Sequence, residues 1–184
     1  MGNWNVFDKF LARRRLAQIL MRIPPNASVC DIGCGPGGAL LFSIRNRIRK
    51  GIGIDRRVDS VKDDKIELMN ADIDGKRLPL EDNSVDCVIF LAVLEHLREP
   101  QKTIAEIRRI LAKGGVLVMT TPAPASKPVL ESLSSVGILD RDEIMDHKKY
   151  WNKGEIESLL RASGFSEVDF SYFQFGLNQR AVAK

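Results

Sequence analysis

The sequence predicts an α/β fold of the doubly wound type, built on a mostly parallel seven-stranded sheet with an antiparallel last strand. Three observations carry this prediction. Short apolar runs alternate with amphipathic helical patterns, which is typical of a parallel sheet covered by helices on both faces. A glycine-rich turn follows the first run. The last two runs are too close together for a helical crossover, so they are expected to pair antiparallel.

The first half of the chain reads as a helix, a strand, a second helix and two more strands. Apolar residues recur every three or four positions before Pro24 and Pro25, so residues 1–25 are predicted to form an N-terminal amphipathic helix. Residues 56–64 are too polar and too few for a good crossover helix, which predicts an abbreviated connection. The other elements, in chain order, are the strand "SVCDI", the helix "GGALLFSIRNRI" and the strands "GIGID" and "KIELMN".

The second half continues the alternation and then changes character. A helical pattern places Ile104, Ile107 and Ile110 on one face and stops before Gly114 and Gly115. The tail then has a helix followed by two strand-like runs. The elements, in chain order, are the strand "VDCVIFL", the helix "PQKTIAEIRRIL", the strand "GVLVMTT", the helix "KGEIESLLRASG" and the strands "EVDFSYF" and "LNQRAVAK".

The composition indicates one domain covering residues 1–184. The chain is 44% hydrophobic and long enough to bury one sizeable core. Its longest apolar run, "VIFLAVL", is far shorter than the roughly 20 residues of a membrane helix, and no signal peptide is evident. We therefore expect no membrane span and a cytoplasmic location. Cys30, Cys34 and Cys87 form no C-x-x-C pair, so neither a disulfide framework nor a metal site is expected.

Positive charge is concentrated near the N-terminus. The formal net charge is +4, with +8 in the first 57 residues and −4 in the remainder. Such asymmetry attracts anionic partners. A solvated helix face is nevertheless the preferred interpretation, because a basic patch indicates nucleic-acid binding only together with a recognisable binding module. A nucleic-acid partner stays open, without a motif that supports it.

The glycine turn in "VCDIGCGPGG" suits two cofactors. Its G-x-G-x-x-G spacing fits a dinucleotide in a dehydrogenase and also the adenosyl cofactor of a methyltransferase. Acids at successive strand ends distinguish the two: Asp31, Asp55, Asp72 and Glu95 lie where ligands of such sheets collect. A doubly negative pyrophosphate beside Asp31 would be repelled in a low-dielectric crevice, whereas S-adenosylmethionine is net positive. The acids therefore favour S-adenosylmethionine over NAD.

Five blocks of the sequence resemble the class I S-adenosylmethionine-dependent methyltransferases, in particular the small-molecule group with a "DxGCGxG" first motif. They span most of residues 29–165 in the family's order. The resemblance implies an enzyme with a Rossmann-like sheet, an antiparallel seventh strand and S-adenosyl-L-methionine as its cofactor. The blocks are "VCDIGCGPGG", "GIGID", "NADIDGKRLPLEDNSVDCVIFLAVLEHL", "EIRRILAKGGVLVMTTP" and "YWNKGEIESLLRASGF".

The same resemblance implies a set of cofactor-binding residues. Asp55 would take the ribose hydroxyls, Asp72 would accept from the adenine amino group, and Ile73 would pack on the adenine or donate its backbone N–H. The plain alternatives are that Asp31 caps the N–H groups of the loop and that Asp72 is a turn residue. The complete predicted set is Asp31, Gly33, Cys34, Gly35, Asp55, Arg56, Asp72, Ile73 and Leu91.

The acceptor side of the site is expected to involve residues 123–151, a connection long enough to form a substrate lid. Methyl transfer needs alignment more than proton transfer, so a general base is optional. The candidate catalytic residues are His96 and His147, the only histidines of the chain. Tyr150 and Trp151 are candidate substrate contacts, with a packing role as the alternative for this aromatic pair.

The acceptor itself is not evident from the sequence, because the predicted lid has no diagnostic motif. We expect a small-molecule or lipid or quinone-type acceptor, and a monomer or homodimer. Methylation of RNA or of a modified nucleoside is one alternative. An NAD-type oxidoreductase and a non-catalytic cofactor-binding subunit are the others.

Overall fold

The computed structural model describes residues 19–135 and 146–184, and these residues form one eight-stranded sheet with helices on both faces. In chain order the strands are β1 (Ser28–Ile32), β2 (Lys50–Asp55), β3 (Val61–Lys62), β4 (Ile66–Asn70), β5 (Val85–Leu91), β6 (Leu111–Pro122), β7 (Val168–Phe173) and β8 (Asn178–Ala183). The helices are α1 (Ala39–Ile44), α2 (Pro100–Ile110), α3 (Lys127–Ser135) and α4 (Lys153–Ala162). Short 3₁₀ helices cover Leu94–His96 and Pro124–Ser126.

The strand order is β3-β4-β2-β1-β5-β6-β8-β7. Strand β1 lies at the centre and pairs in parallel with both β2 and β5. Strand order therefore reverses between β1 and β5, which is where ligands of open α/β sheets bind. The tail strand β8 pairs antiparallel with β6 and with β7. The predicted doubly wound fold and its antiparallel last strand are confirmed.

Side chains of the central strands alternate between two apolar clusters, one on each face of the sheet. Cys30 and Ile32 of β1 belong to one cluster, together with apolar residues of α2 and α4. Val29 of the same strand belongs to the other, which includes Leu41 and Ile44 of α1. This period of two is what a strand covered on both faces requires.

The structure differs from the predicted seven strands by one short addition. The polar connection after β2 contains β3, whose two residues pair antiparallel with β4 at the edge of the sheet. Asp63 makes this possible, because its Oδ1 accepts from the N–H groups of Lys65 and Ile66 and closes a tight turn. Helix α1 is shorter than its pattern predicts. Of the predicted N-terminal helix over residues 1–25, Ile19 and Leu20 are helical, and residues 1–18 lie outside the described residues.

Helix α4 begins with a complete capping box. The Asn152 side chain accepts from the N–H of Glu155 at 3.0 Å, and Glu155 accepts in return from the N–H of Asn152 at 2.9 Å. This cap fixes the residue at which α4 begins. Among the described residues, no helix is both long and apolar enough to cross a membrane.

Candidate cofactor and acceptor site

The glycine turn lies between β1 and α1 and is packed too closely for any other residue at Gly33. Gly33 has a φ of 79°, and a Cβ there would stand 2.4 Å from Cγ2 of Val93. Its N–H donates to the carbonyl of Ile54 at 2.8 Å. Gly33 is therefore needed both for its positive φ and for close approach to the segment after β5. That contact joins the two loops that flank the point of strand reversal.

Asp55 holds the second glycine of the turn. Its Oδ2 accepts from the N–H of Gly35 at 3.0 Å, and its Oδ1 accepts from the N–H of Arg57 at 2.8 Å. The carboxylate is buried at the end of β2. Because a carboxylate has about four acceptor positions, Asp55 can keep both contacts and still accept from a ligand hydroxyl.

Asp31 is buried beside this acid and is 4% exposed. Burial, and after it the negative charge of Asp55, together raise the pKa of Asp31 from 3.8 to about 7. Two carboxylates at the point of strand reversal form an environment that favours a cationic ligand. A cofactor contact of Asp31 stays a prediction, with capping of the loop N–H groups as the alternative.

Asp72 and Ile73 follow β4 in the predicted order. Asp72 is exposed, and its Oδ1 accepts from the N–H of Asp74 at 3.1 Å, so in this structure it forms a turn. The Ile73 side chain is partly buried against the core. Its carbonyl accepts from the hydroxyl of Thr103 at 2.9 Å, which ties the loop to α2.

Asp74 positions this loop and was missed by sequence reasoning. Its carboxylate accepts from the N–H groups of Arg98 and Glu99, directly before α2 begins at Pro100. The loop after β4 is thereby held at the N-terminus of α2. A second acid within "NADIDG" is the only sequence signal for this role.

Three further predicted residues border the turn. Cys34 is partly buried, and burial raises the pKa of its thiol to about 12, so the thiol stays protonated and is a poor nucleophile. Leu91 ends β5 and packs on the α1 side of the sheet. The Arg56 side chain is exposed, and the carbonyl of Arg56 accepts from the amide of Asn70. A separate cavity of about 410 Å³ opens at the β3–β4 edge, and none of the predicted site residues lines it.

A polar cluster stands on the other side of the segment after β5. It contains Glu95, His96 and His147, each offering one atom within 4.8 Å of the others. The imidazole rings of the two histidines meet edge to face with centroids 4.8 Å apart. The structure thus brings both candidate catalytic histidines together, although 50 residues separate them in the chain. Glu95 completes the cluster; its sequence position put it among the acids at strand ends but not in the predicted set of site residues.

Neighbouring side chains fix the orientation of each member. Glu95 is 1% exposed, and its Oε2 accepts from the hydroxyl of Thr121 at 2.9 Å. Nδ1 of His96 lies 3.2 Å from Oδ2 of Asp146. Nδ1 of His147 lies 3.1 Å from the hydroxyl of Tyr150. Tyr150 therefore borders the cluster, and its contact with the acceptor stays a prediction.

Trp151 is positioned differently from Tyr150. Its side chain is buried in the core cluster that also contains α2 and α4 residues, and its carbonyl accepts from the Gln179 amide at 2.5 Å. Lys149 places its ammonium 4.0 Å from the centroid of the indole. The position of Trp151 fits the packing alternative better than a contact with the acceptor.

Comparison with known proteins identifies the family. The family description "Methyltransferase domain" matches residues 7–169. The chain belongs to this family. The predicted resemblance to the class I methyltransferases is therefore confirmed.

Relatives of this methyltransferase domain include a "Probable S-adenosylmethionine-dependent methyltransferase" of Mycolicibacterium smegmatis, 33% identical over 147 residues, which cover 77% of this chain and 52% of the relative. A "Ubiquinone/menaquinone biosynthesis C-methyltransferase" of Campylobacter jejuni is 24% identical over 204 residues, covering 94% and 85% of the two chains. The first three relatives are matched over 31%, 52% and 56% of their own lengths, so this chain spans about half or less of each.

Solved structures confirm the fold of this methyltransferase domain. A SAM-dependent methyltransferase from Archaeoglobus fulgidus superposes with a TM-score of 0.72 at 19% identity, covering 96% of this chain and 94% of that one. At this identity the likeness establishes the fold alone.

Proposed function

We propose that this chain is an S-adenosylmethionine-dependent methyltransferase acting on a small-molecule, lipid or quinone-type acceptor. One observation carries the proposal: the glycine turn at the point of strand reversal holds two buried carboxylates, Asp31 and Asp55. A positively charged adenosyl cofactor is attracted to this pair, whereas a pyrophosphate is repelled. The family and the printed names of its relatives support the same activity.

The residues of the site fit this cofactor. A Cβ at Gly35 would meet nothing within 4 Å, so the turn leaves open space beside Gly35 for a ligand to approach the backbone. Asp55 has acceptor positions left for a ribose diol. Asp72 is exposed next to the partly buried Ile73, and a hydrogen-bond acceptor beside an apolar side chain supports the proposed adenine contacts.

The cofactor supplies a methyl group already activated on a sulfonium. The protein then has to align the acceptor with this methyl group. In well-oriented reactions such alignment lowers the activation barrier by up to about 7 to 11 kcal/mol. Val93 and its neighbours after β5 wall the site beside the glycine turn. His96, His147 and Tyr150 face the acceptor, and a general base stays optional for this chemistry.

The charge distribution favours a small acceptor over RNA. Several basic side chains of the described part of the N-terminal region are paired with acids. Arg45 bonds to Asp63 and Asp64, and Arg49 bonds to Asp86. Such pairs reduce the positive surface that a phosphate backbone requires. The name of the Campylobacter jejuni relative supports a quinone-type ring as the first acceptor to examine.

A turnover screen tests the proposal. The full chain is incubated with S-adenosylmethionine carrying a labelled methyl group and with separate panels of quinols, catechols, small acids, lipids and nucleosides. We expect label transfer to one of the first four panels and none with the variant Asp55→Ala. Transfer to nucleosides alone would contradict the proposed acceptor class. Specific adenosyl binding without transfer to any panel would favour the non-catalytic subunit.

A further inference from the structure

The cluster of Glu95, His96 and His147 has the composition of a transition-metal site. Two imidazoles and one carboxylate offer ligand atoms within 4.8 Å of one another. Sets of two histidines and one glutamate bind Zn²⁺ in catalytic sites, leaving a fourth position open. The three residues converge from two segments, one directly after β5 and one before α4.

Each of the three residues also has the outer contact that metal ligands characteristically make. A ligating imidazole usually bonds to a carboxylate or other polar group through its second nitrogen. Nδ1 of His96 contacts Asp146 at 3.2 Å, and Nδ1 of His147 contacts Tyr150 at 3.1 Å. With Nδ1 of each ring in these contacts, Nε2 would be the ligand atom of both histidines.

Glu95 is oriented in the same way. The hydroxyl of Thr121 donates to Oε2 of Glu95 at 2.9 Å, so the buried carboxylate has a fixed direction. A divalent cation bound between this buried carboxylate and the two imidazoles would pair the carboxylate with a positive charge, as buried carboxylates commonly are.

The backbone keeps the two segments together. The N–H of Lys148 donates to the carbonyl of Glu95 at 2.8 Å, directly after His147. The N–H of Ala92 donates to the carbonyl of Thr120 at 2.9 Å, which anchors the segment after β5. The two segments that carry the ligands are thus joined by backbone hydrogen bonds, so the three ligand residues stay next to one another.

We propose that Glu95, His96 and His147 bind one divalent transition-metal ion of the Zn²⁺ type. Imidazole ligands suit Zn²⁺, Co²⁺ and Ni²⁺, whereas Mg²⁺ and Ca²⁺ prefer oxygen donors. This site reverses the expectation of no metal, which came from the cysteine spacing. The signal was invisible in the sequence because 50 residues separate the two histidines.

The open coordination position gives the ion a role in methyl transfer, and this part rests on the proposed function. An ion at this place would hold an acceptor through an oxygen atom and favour its ionised form. The acceptor class is therefore narrowed to compounds with a hydroxyl or quinol oxygen at or next to the methylated atom.

Metal titration of the full chain tests the site without any acceptor. After treatment with a chelator and its removal, the protein is titrated with Co²⁺ alone, with Zn²⁺ alone and with Mg²⁺ alone. We expect one Co²⁺ per chain with a visible absorption band typical of tetrahedral coordination, displacement by Zn²⁺, and no competition by Mg²⁺. Absence of the band, or a band of variable stoichiometry, would overturn the proposal.

Variants locate the ion. His147→Gln and His96→Gln should each weaken Co²⁺ binding by more than about 100-fold, and Asp146→Asn by about 10- to 100-fold because it orients a ligand. The matched control Glu81→Gln removes an exposed carboxylate elsewhere and should bind like the parent protein. Circular dichroism and adenosyl affinity verify that each variant folds. Unchanged metal affinity in both histidine variants would contradict the site and would show that these side chains form a polar network that binds no metal ion.

The two proposals fail in different ways. If the metal site is wrong, adenosyl cofactor binding and methyl transfer persist in the chelated protein without a cobalt band. If the proposed function is wrong, the band appears while adenosyl compounds do not bind. If the protein binds both the metal ion and the adenosyl cofactor, and methyl transfer is lost on chelation, both proposals are supported.

Discussion

The buried pair of Asp31 and Asp55 affects both the stability of the fold and the proposed binding of the adenosyl cofactor. Burial and mutual repulsion raise the pKa of Asp31 to about 7. An acid whose pKa is higher in the folded than in the unfolded chain makes folding weaker as pH rises. The protonated Asp31 side chain makes its full contribution to the free energy of unfolding below about pH 4. This contribution is lost as the pH rises through about 7, where the buried side chain ionises.

The variant Asp31→Asn should therefore be more stable than the parent above pH 7. Raising the pKa from 3.8 to about 7 costs the folded state about 4 kcal/mol once Asp31 is ionised. We expect about 2 to 4 kcal/mol of added stability at pH 8, little difference near pH 4, and weaker binding of S-adenosylmethionine. Urea unfolding from pH 4 to 8 measures this. Equal stability at both pH values would contradict it. Asp59→Asn, an exposed acid, is the control.

Asp55→Ala should weaken adenosyl binding by about 2 to 4 kcal/mol, because ribose hydroxyls would be left without an acceptor in a closed site. The N–H groups of Gly35 and Arg57 also lose their acceptor, so a small loss of stability should accompany it. Asp72→Ala should cost less affinity, since Asp72 is exposed. Calorimetry with the demethylated cofactor measures both. Unchanged affinity in both variants would refute the assignment of these residues.

At the scale of elements, two glycines of the same turn, Gly33 and Gly37, should respond differently to substitution by alanine. Gly33→Ala places a methyl group 2.4 Å from Val93 at a φ of 79°, so the turn must shift. Gly37→Ala meets nothing within 4 Å. We expect Gly33→Ala to lower the melting temperature and adenosyl affinity, and Gly37→Ala to leave both nearly unchanged. Equal effects from both substitutions, read by thermal unfolding and calorimetry, would contradict the close approach.

The segment over residues 123–151 remains a proposed lid. Its described parts are a 3₁₀ helix, α3 and the residues from Asp146 onward, while residues 136–145 lie outside the described residues. Replacing residues 126–140 with a short Gly/Ser linker should abolish methyl transfer. Adenosyl affinity should stay within a few-fold, because the predicted cofactor contacts lie on β1, β2, β4 and β5. Retained turnover, or a chain that no longer folds, would show that the segment is not a lid.

At the scale of the whole molecule, the sheet could be predicted because its signals are local. Each buried strand is a short apolar run, and the alternation with helices determines a parallel sheet. The two-residue strand β3 could not be predicted, since Val61 and Lys62 are both exposed and carry no pattern. It forms because Asp63 closes a turn against β4.

The positions of the glycine turn and of its acids were predictable for the same reason, and the contact between the two histidines was not. The glycine turn and its acids lie at strand ends, so their place follows from the fold. The contact between His96 and His147 joins two segments that are far apart in the sequence, and no local sequence pattern predicts such a contact. The buried position of Trp151 likewise depends on packing against the sheet.

Binding of adenosyl compounds against NAD tests the central claim most directly. The full chain is titrated calorimetrically with S-adenosylmethionine, with its demethylated product and with NAD, and the melting temperature is followed in parallel, since a ligand of the native state stabilises it. The buried pair of Asp31 and Asp55 predicts low-micromolar binding of both adenosyl compounds, a raised melting temperature, and no effect of NAD. Binding of NAD without binding of either adenosyl compound would contradict the account.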